Sequence, residues 1–512
     1  MKESTLRFYR VILNIASSLS RSFIGLVLGL FATPIVLRCL GEEQFGAYRV
    51  LIDWTSQLGI LEFGLFPSLQ AIFAKSLSQS SKIDPRTVSK EAYKRYLQVF
   101  LFQVIGLIFI GLFLHKLIPV SEALQKPLQI SLIIMSLSVL FCFAQIYRAY
   151  LDASQRGYIV STVMILQNII FVFLSITLAI FGFGLIGQTI AFVTSLAFSF
   201  FFLFFKTRKA LESKDSKHNE KKGFSLSLKE QRSPQFVANL CGRVSLLLDN
   251  LIIAAFLGAK TVTAFYLTQR LINIATQQLQ QIGNATWPAM SELFFTAEEE
   301  RFKERVIEIT QIIAFACGVM LTPLCFINAP FINLWTGSST FAGQALTSVV
   351  IYNGGLFAIV SFWQWCFAGT GLIRRILPCV ITQAFVNVLC ALVLTQTHGV
   401  LGPVLGTLIS FQLITIPWQS YLMSNIFEVP LGRLTKAWTI PFLIPVLSGI
   451  VGSHYITMPD IESWPVLVMG SIGLYLFCGF SFLFLFLPKE TRTRVIKRIQ
   501  RLMESRLGKI TQ

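Results

Sequence analysis

The stretch YIVSTVMILQNIIFVFLSITLAIF, residues 158–181, runs for 24 residues without a charge. As a helix it would be about 36 Å long at 1.5 Å per residue, against about 30 Å for the hydrocarbon of a bilayer. The run therefore predicts a helix that crosses a membrane. Comparable runs of about 20 residues recur along nearly the whole chain. In lipid a helix satisfies its own backbone, whereas a β-barrel would show short alternating segments, which are absent.

Composition agrees with that reading. With 54% hydrophobic residues, 13% charged residues and a mean hydropathy of +0.66, the 512-residue chain lies outside the range of water-soluble globules. The expected fold class is an all-α polytopic membrane protein. Fourteen spans are predicted, near 11–37, 45–74, 96–118, 128–150, 158–181, 184–205, 234–257, 262–294, 306–334, 343–368, 376–398, 400–425, 438–457 and 464–487. The first follows Lys2, Arg7 and Arg10 and is too long for the apolar core of a cleaved signal, so it is read as a retained span. The nine cysteines lie mostly within spans, without C-x-x-C pairs, and read as small packing residues.

Lysine and arginine orient the spans, because basic loops stay cytoplasmic. Of 43 such residues, 35 fall on the side holding both predicted termini and four (Arg38, Lys116, Lys126, Lys260) on the other. The remaining four, Arg21, Arg49, Arg243 and Arg270, fall inside spans. The net charge of +18 thus belongs to loops beside anionic headgroups; no nucleic-acid motif accompanies it.

Six spans are duplicated in one orientation. Leu40-Gly41, Ala47 and Tyr48 match Leu257-Gly258, Ala264 and Phe265 at an offset of 217. Ala149, Arg156 and Asn168 match Ala368, Arg375 and Asn387 at 219, and Gly184-Leu-Ile-Gly187 matches Gly399-Val-Leu-Gly402 at 215. The expected organisation is an N-lobe of spans 1–6 (1–205), a charged cytoplasmic linker (206–233), a C-lobe of spans 7–12 (234–425), spans 13–14 (426–487) and a basic tail (488–512). In the tail Val495, Ile499, Leu502 and Ile510 fall near one helical face, as in an interfacial amphipathic helix. Parallel repeats are a transporter architecture, with the substrate site between the halves.

The four intramembrane arginines respect the repeat: Arg21 and Arg243 lie in equivalent spans, as do Arg49 and Arg270. An ion in hydrocarbon is costly and usually faces a cavity or a partner. In span 8, Arg270, Asn273, Gln277, Gln281 and Asn284 recur at steps of 3, 4, 4 and 3 on one helical face. Span 1 carries Asn14, Ser18, Arg21 and Gly25 on a similar stripe, and span 7 carries Asn239 and Arg243. Such stripes either line a watery path or join helices by hydrogen bonds. Three acids lie among them. Asp53 follows Arg49 by four residues and can pair with it, leaving open whether that arginine binds substrate. Glu62 and Asp249 have no local partner in sequence, so each is either an H⁺ or Na⁺ coupling site or a salt-bridge partner of Arg21 or Arg243. Guanidinium groups hold phosphate by two-pronged hydrogen bonds and keep their proton, which suits a diphosphate carried on a lipid.

Ser20-Arg21 through Pro34, Leu40-Gly-Glu-Glu-Gln-Phe-Gly-Ala-Tyr48 and Gly59-Ile-Leu-Glu-Phe-Gly-Leu65 resemble the N-terminal pattern of polysaccharide-biosynthesis flippases of the Wzx type, members of the multidrug/oligosaccharidyl-lipid/polysaccharide (MOP) exporter superfamily. Asp249-Asn-Leu-Ile-Ile253, Leu257-Gly258, Tyr266, Arg270 and Pro288 resemble the start of the second half. The resemblance implies a V-shaped MATE-like molecule of two six-helix lobes in a bacterial inner membrane, both termini cytoplasmic. By alternating access it would move an undecaprenyl-diphosphate-linked oligosaccharide: an O-antigen, capsule or exopolysaccharide repeat unit. A polysaccharide polymerase and chain-length machinery are implied as partners. The chain is similar to lipid II flippases too, where cavity arginines receive the diphosphate; Arg21, Arg49 and Arg270 correspond by helix. Trp363, Gln364 and Trp365 are candidates to read the sugar.

Two other classes compete. A drug or cation exporter of the superfamily would favour acids in its cavity, and a polymerase or ligase would carry a sizeable outer loop. No phosphate-binding loop, H-E-x-x-H or nucleophile elbow points to an enzyme, and no cofactor or metal is implied. Transport would draw on a H⁺ or Na⁺ gradient or the membrane potential.

Overall fold

The computed structural model describes residues 2–62, 64–77, 84–212, 233–296, 298–456, 461–486 and 492–493. Most of the predicted linker and nearly all of the basic tail fall outside the described residues. Among the described residues every regular element is helical. Among the described residues nine helices are long and apolar enough to cross a membrane, and eleven if each of two bent pairs is one span. One of these, Ile373–Phe427, is 55 residues long and contains two predicted spans. Two more helices, Ser233–Leu257 and Ala259–Phe295, complete the fourteen. Both carry polar stripes that dilute their hydropathy.

The chain divides into two compact units, Met1–Thr263 and Ala264–Gln512. The first contains α1 (Lys2–Leu40), α2 (Glu42–Leu58), α3 (Leu65–Ser76), α4 (Pro85–Leu112), α5 (Glu122–Ser136), α6 (Ala144–Ala153), α7 (Gly157–Ile180), α8 (Gly184–Glu212) and α9 (Ser233–Leu257). Span 2 is α2 and α3, bent by 49° where Gly64 takes a left-handed conformation (φ 70°). α1 packs along α7, α7 along α8, and α9 on α2. Leu69, Phe73, Ala92, Tyr96, Ile146 and Ala149 form one apolar core among α3, α4 and α6.

The second unit contains most of α10 (Ala259–Phe295), then α11 (Glu299–Leu321), α12 (Leu324–Trp335), α13 (Gln344–Gly369), α14 (Ile373–His398), α15 (Gly402–Ser410), α16 (Ile416–Phe427), α17 (Leu431–Trp438), α18 (Ile444–Tyr455) and α19 (Trp464–Leu485). α11 and α12 meet at 43° beside Pro323, which cannot donate to the preceding turn. Buried amides join these helices: Asn328 Nδ2 donates to Thr268 O and to Thr347 Oγ1, both at 3.0 Å. In a membrane, where lipid is as apolar as leucine, such bonds and close packing hold helices together at about 0.6 kcal/mol each.

The repeat is visible in the backbone. Positive φ occurs at Gly41 and Gly258, at Gln155 and Gly371, and at Gly184 and Gly399, pairs 217, 216 and 215 residues apart. The second turn closes alike in both halves, by Arg156 N to Leu151 O and Leu372 N to Phe367 O. It thus pairs Arg156 with Leu372, one turn away from the Arg156–Arg375 match read in the sequence. Gly187 and Gly402 explain the second glycine of each Gly-x-x-Gly match. A β-carbon at Gly187 would crowd Leu178, and one at Gly402 would run into the backbone of Thr395.

Candidate transport site

The motif residues 40–48 turn out to be a joint. Gly41 makes the turn (φ 78°) between α1 and α2. Glu43 accepts from the backbone N–H and hydroxyl of Ser121, at 2.6 and 3.0 Å, tying down the start of α5. Gln44 Oε1 accepts from Leu185 N at 3.1 Å, doing the same for α8. Glu42 pairs with Lys260 at 3.6 Å, its carbonyl accepts from Thr263 Oγ1 at 2.6 Å, and Gly46 leaves room for the carbonyl of Ala259. The two acids are occupied in anchoring helices, so their pairing in sequence has a mechanical cause.

On the same helix, Arg49 reaches Asp53 at 3.6 Å, and Asp53 accepts from Asn250 Nδ2 of α9 at 2.7 Å. The carboxylate is only 5% exposed and has a partner for each oxygen. Gln57, one further turn along, was not singled out in the sequence; both polar atoms of its carboxamide are buried without a hydrogen bond among the described residues. Arg49, Asp53 and Gln57 thus make an i, i+4, i+8 stripe, a spacing that was legible. Asp249, beside Asn250, has no hydrogen-bond or ion-pair partner among the described residues.

A second polar cluster lies in the first unit, and sequence reasoning found only part of it. Arg148 pairs with Asp152 at 3.8 Å and lies over the Phe66 ring at 4.9 Å; Gln70 Nε2 donates to Asp152 at 2.9 Å. Tyr96 of α4 donates its hydroxyl to Glu62, so this acid, without a local partner in sequence, has one 34 residues away. Arg21 approaches the Met164 thioether at 2.9 Å, within electrostatic reach of Arg148 and Asp152. In sequence Arg148 counts among the 35 basic residues on the side of the termini, at the end of the span 128–150. The signal for its pairing was the i, i+4 spacing to Asp152; the contact with Gln70, 82 residues away, had none.

The span 1 stripe divides by role. Asn14 accepts from Tyr158 N at 2.6 Å and donates to Gln155 O at 3.4 Å, capping the start of α7. Gly25 lies against Asn168 of α7. Those two positions join helices, and Arg21 is left as the charged member. Arg243 lies on α9; its side chain, like that of Asn239, falls outside the described residues.

The middle of the α10 stripe is open, and its ends, Arg270 and Asn284, are half-buried. Asn273, Gln277 and Gln281 are exposed, while Ile272 and Leu279 on the other face are fully buried. Arg270 is half-buried, stands over the Tyr266 ring at 5.8 Å and has no carboxylate partner among the described residues. Asn284 donates to Gln281 at 3.3 Å. Trp363, expected to read sugar, is instead fully buried and donates its indole N–H to Thr310 at 3.1 Å, because its bulk fills the core between α11 and α13. Gln364 and Trp365 are half-buried.

No group of three metal-ligating side chains occurs among the described residues. Among the described residues, Arg21 in the first unit and Arg270 in the second contact no carboxylate directly, whereas Arg49 is paired with Asp53. Guanidinium donors bind phosphate oxygens.

Comparison with known proteins agrees with this architecture. The family model described as polysaccharide biosynthesis protein matches residues 11–294. The membrane protein EpsK of Bacillus subtilis (strain 168) is 22% identical over 513 residues, covering 96% of this chain and 98% of that one. Among solved structures, the lipid II flippase MurJ in an inward closed conformation superposes with a TM-score of 0.69 at 16% identity, covering 91% of this chain and 98% of that one. An inward-facing multidrug resistance MATE transporter of the MOP superfamily gives 0.56 at 15% identity, covering 81% and 99%. The chain is a multi-pass membrane protein with the MOP transporter fold, and it belongs to the polysaccharide biosynthesis protein family.

Proposed function

We propose that the chain is a flippase that moves a polyprenyl-diphosphate-linked oligosaccharide across a bacterial inner membrane by alternating access. The observation that carries this reading is the open α10 stripe. Three exposed amides and Arg270 share one face of a 37-residue helix. Hydrogen-bonding groups facing lipid tails would cost several kcal/mol each, so such a face belongs beside a polar path. A path lined by cations and amides favours an anionic head, which is why a flippase is preferred over an exporter of cationic drugs. Both termini would be cytoplasmic, as the lysine and arginine distribution requires.

In this reading the diphosphate is captured at Arg21 and Arg243 and passed to Arg49 and Arg270, with Asn273, Gln277 and Gln281 following the polar head. The lipid tail stays in the bilayer. Asp249 is the acid best placed for H⁺ or Na⁺ coupling, since Asp53 is satisfied by Arg49 and Asn250 and Glu62 by Tyr96. A polymerase and chain-length proteins would take the product on the far side. Deleting the gene and scoring both surface polysaccharide and drug susceptibility tests the class. A flippase loses the polymer at unchanged susceptibility, and an exporter does the opposite.

A further inference from the structure

At one end of the second unit the eight-residue helix α17 buries Leu434, Ala437 and Trp438 against its neighbours, α11 included. Its other face presents Arg433 and Lys436, both exposed and one turn apart. These two cations stand at a cavity of about 280 Å³ whose remaining lining is apolar except for Gln311: Ile307, Ile440, Pro441 and Phe486. All seven lining residues belong to the second unit.

Arg433 and Lys436 are the charged residues that line this cavity, and no acid is among its lining residues. Arg433 and Lys436 have no ion-pair partner among the described residues. On α11, Glu308 is engaged by Arg305 and Glu300 by Lys303 at 3.0 Å; Lys303 also pairs at 2.8 Å with Glu428, in the loop before α17. A second cavity along α19, of about 350 Å³ and lined by Phe326, Ile461, Leu467 and Phe477 among others, contains no charged residue. The basic pair rims an apolar hollow and falls on the lysine- and arginine-rich side read from the sequence.

We infer that this cavity binds an anionic glycerophospholipid of the bilayer. Arg433 and Lys436 would hold the phosphodiester, with Gln311 beside it, and the acyl chains would run over Ile307, Ile440 and Phe486. Basic pockets between membrane helices on the cytoplasmic side bind anionic headgroups, each Lys or Arg contributing through proximity to the surface charge. An anionic lipid lowers the local charge of the two cations, whereas a zwitterionic one adds its own ammonium beside them. The bound lipid would bridge α11, α17 and the end of α19, steadying the last two spans. This inference rests on the chain being a membrane protein and not on which substrate it carries.

The test uses the full-length protein in detergent, with native mass spectrometry after addition of palmitoyl-oleoyl phosphatidylglycerol or phosphatidylethanolamine. Wild type should retain phosphatidylglycerol. The double variant Arg433→Gln/Lys436→Gln should retain it about ten-fold less or weaker still, with phosphatidylethanolamine unchanged. Arg374→Gln/Arg375→Gln removes the same charge from another exposed basic pair and should keep wild-type retention. Ile440→Trp fills the cavity with both cations intact, should also lose the lipid, and serves if the double variant fails to fold. Wild-type retention in both cavity variants, or equal loss in the Arg374/Arg375 control, would overturn the site. So would displacement of phosphatidylglycerol by equimolar polyprenyl diphosphate, which would assign the cavity to the substrate.

Discussion

Asn250 donates a 2.7 Å hydrogen bond to Asp53, the residue that also neutralises Arg49 at 3.6 Å. One carboxylate thereby ties α9 to α2 and holds the arginine in place. Removing Asp53 breaks a part-buried ion pair and strips Asn250 of its acceptor; breaking a buried pair by deleting one partner costs about 3–5 kcal/mol. Thermal unfolding of the purified protein should show Asp53→Ala well below wild type and Arg49→Ala/Asp53→Ala restored most of the way. If the double variant is restored in stability yet fails to make polymer, Arg49 acts on substrate; full polymer in the double variant assigns it to structure alone.

The open face of α10 can be mapped by labelling. In a background without the nine native cysteines, Gln277→Cys should react with a membrane-impermeant maleimide, and Leu279→Cys, at 0% exposure, should not. Absence of reaction at Gln277→Cys would place that face against lipid and remove the polar path.

What was readable from the chain follows from the solvent. In lipid the backbone must satisfy itself, so apolar length alone locates helices such as residues 158–181. Glycines at 41, 184, 258 and 399 recorded the duplication because each takes a backbone angle unfavourable to side chains. Pairings between distant helices left no such trace. Gln70 with Asp152, Tyr96 with Glu62 and Asn14 with the start of α7 depend on packing that periodicity does not encode. Trp363 looked like a ligand contact because an aromatic beside Gln364 suits a sugar, yet burial decided its role.

The joint at residues 40–48 should behave as a structural element. Glu43→Ala removes the acceptor for the Ser121 N–H at the start of α5 and should cost about 1 kcal/mol, as the loss of a helix cap does. Expression and melting temperature should fall while polymer per folded molecule stays constant. A fall in polymer per folded molecule would give Glu43 a part in transport.

The Lys303–Glu428 pair should report on pH. Its hydrogen bond from the Lys303 ammonium holds the Glu428 carboxyl below the ordinary glutamate value of 4.5. A depressed carboxyl stabilises the fold above its unfolded value and loses that contribution as pH falls through its folded one. Wild type should therefore melt slightly above Glu428→Gln at neutral pH, and the gap should close in acid below 4.5. A gap that widens in acid would contradict the pairing.

If intramembrane arginines carry an anionic head, Arg270 is the one to test first: it has the longest polar stripe and no carboxylate partner among the described residues. The most direct measurement is surface polysaccharide at matched protein level in Arg270→Ala and Arg270→Lys cells. Polymer should drop at least about ten-fold with alanine, the loss of one charged contact, and recover only in part with lysine, which keeps the charge but not the two-pronged geometry. Wild-type polymer from Arg270→Ala, and likewise from Arg21→Ala, Arg49→Ala and Arg243→Ala, would contradict the account.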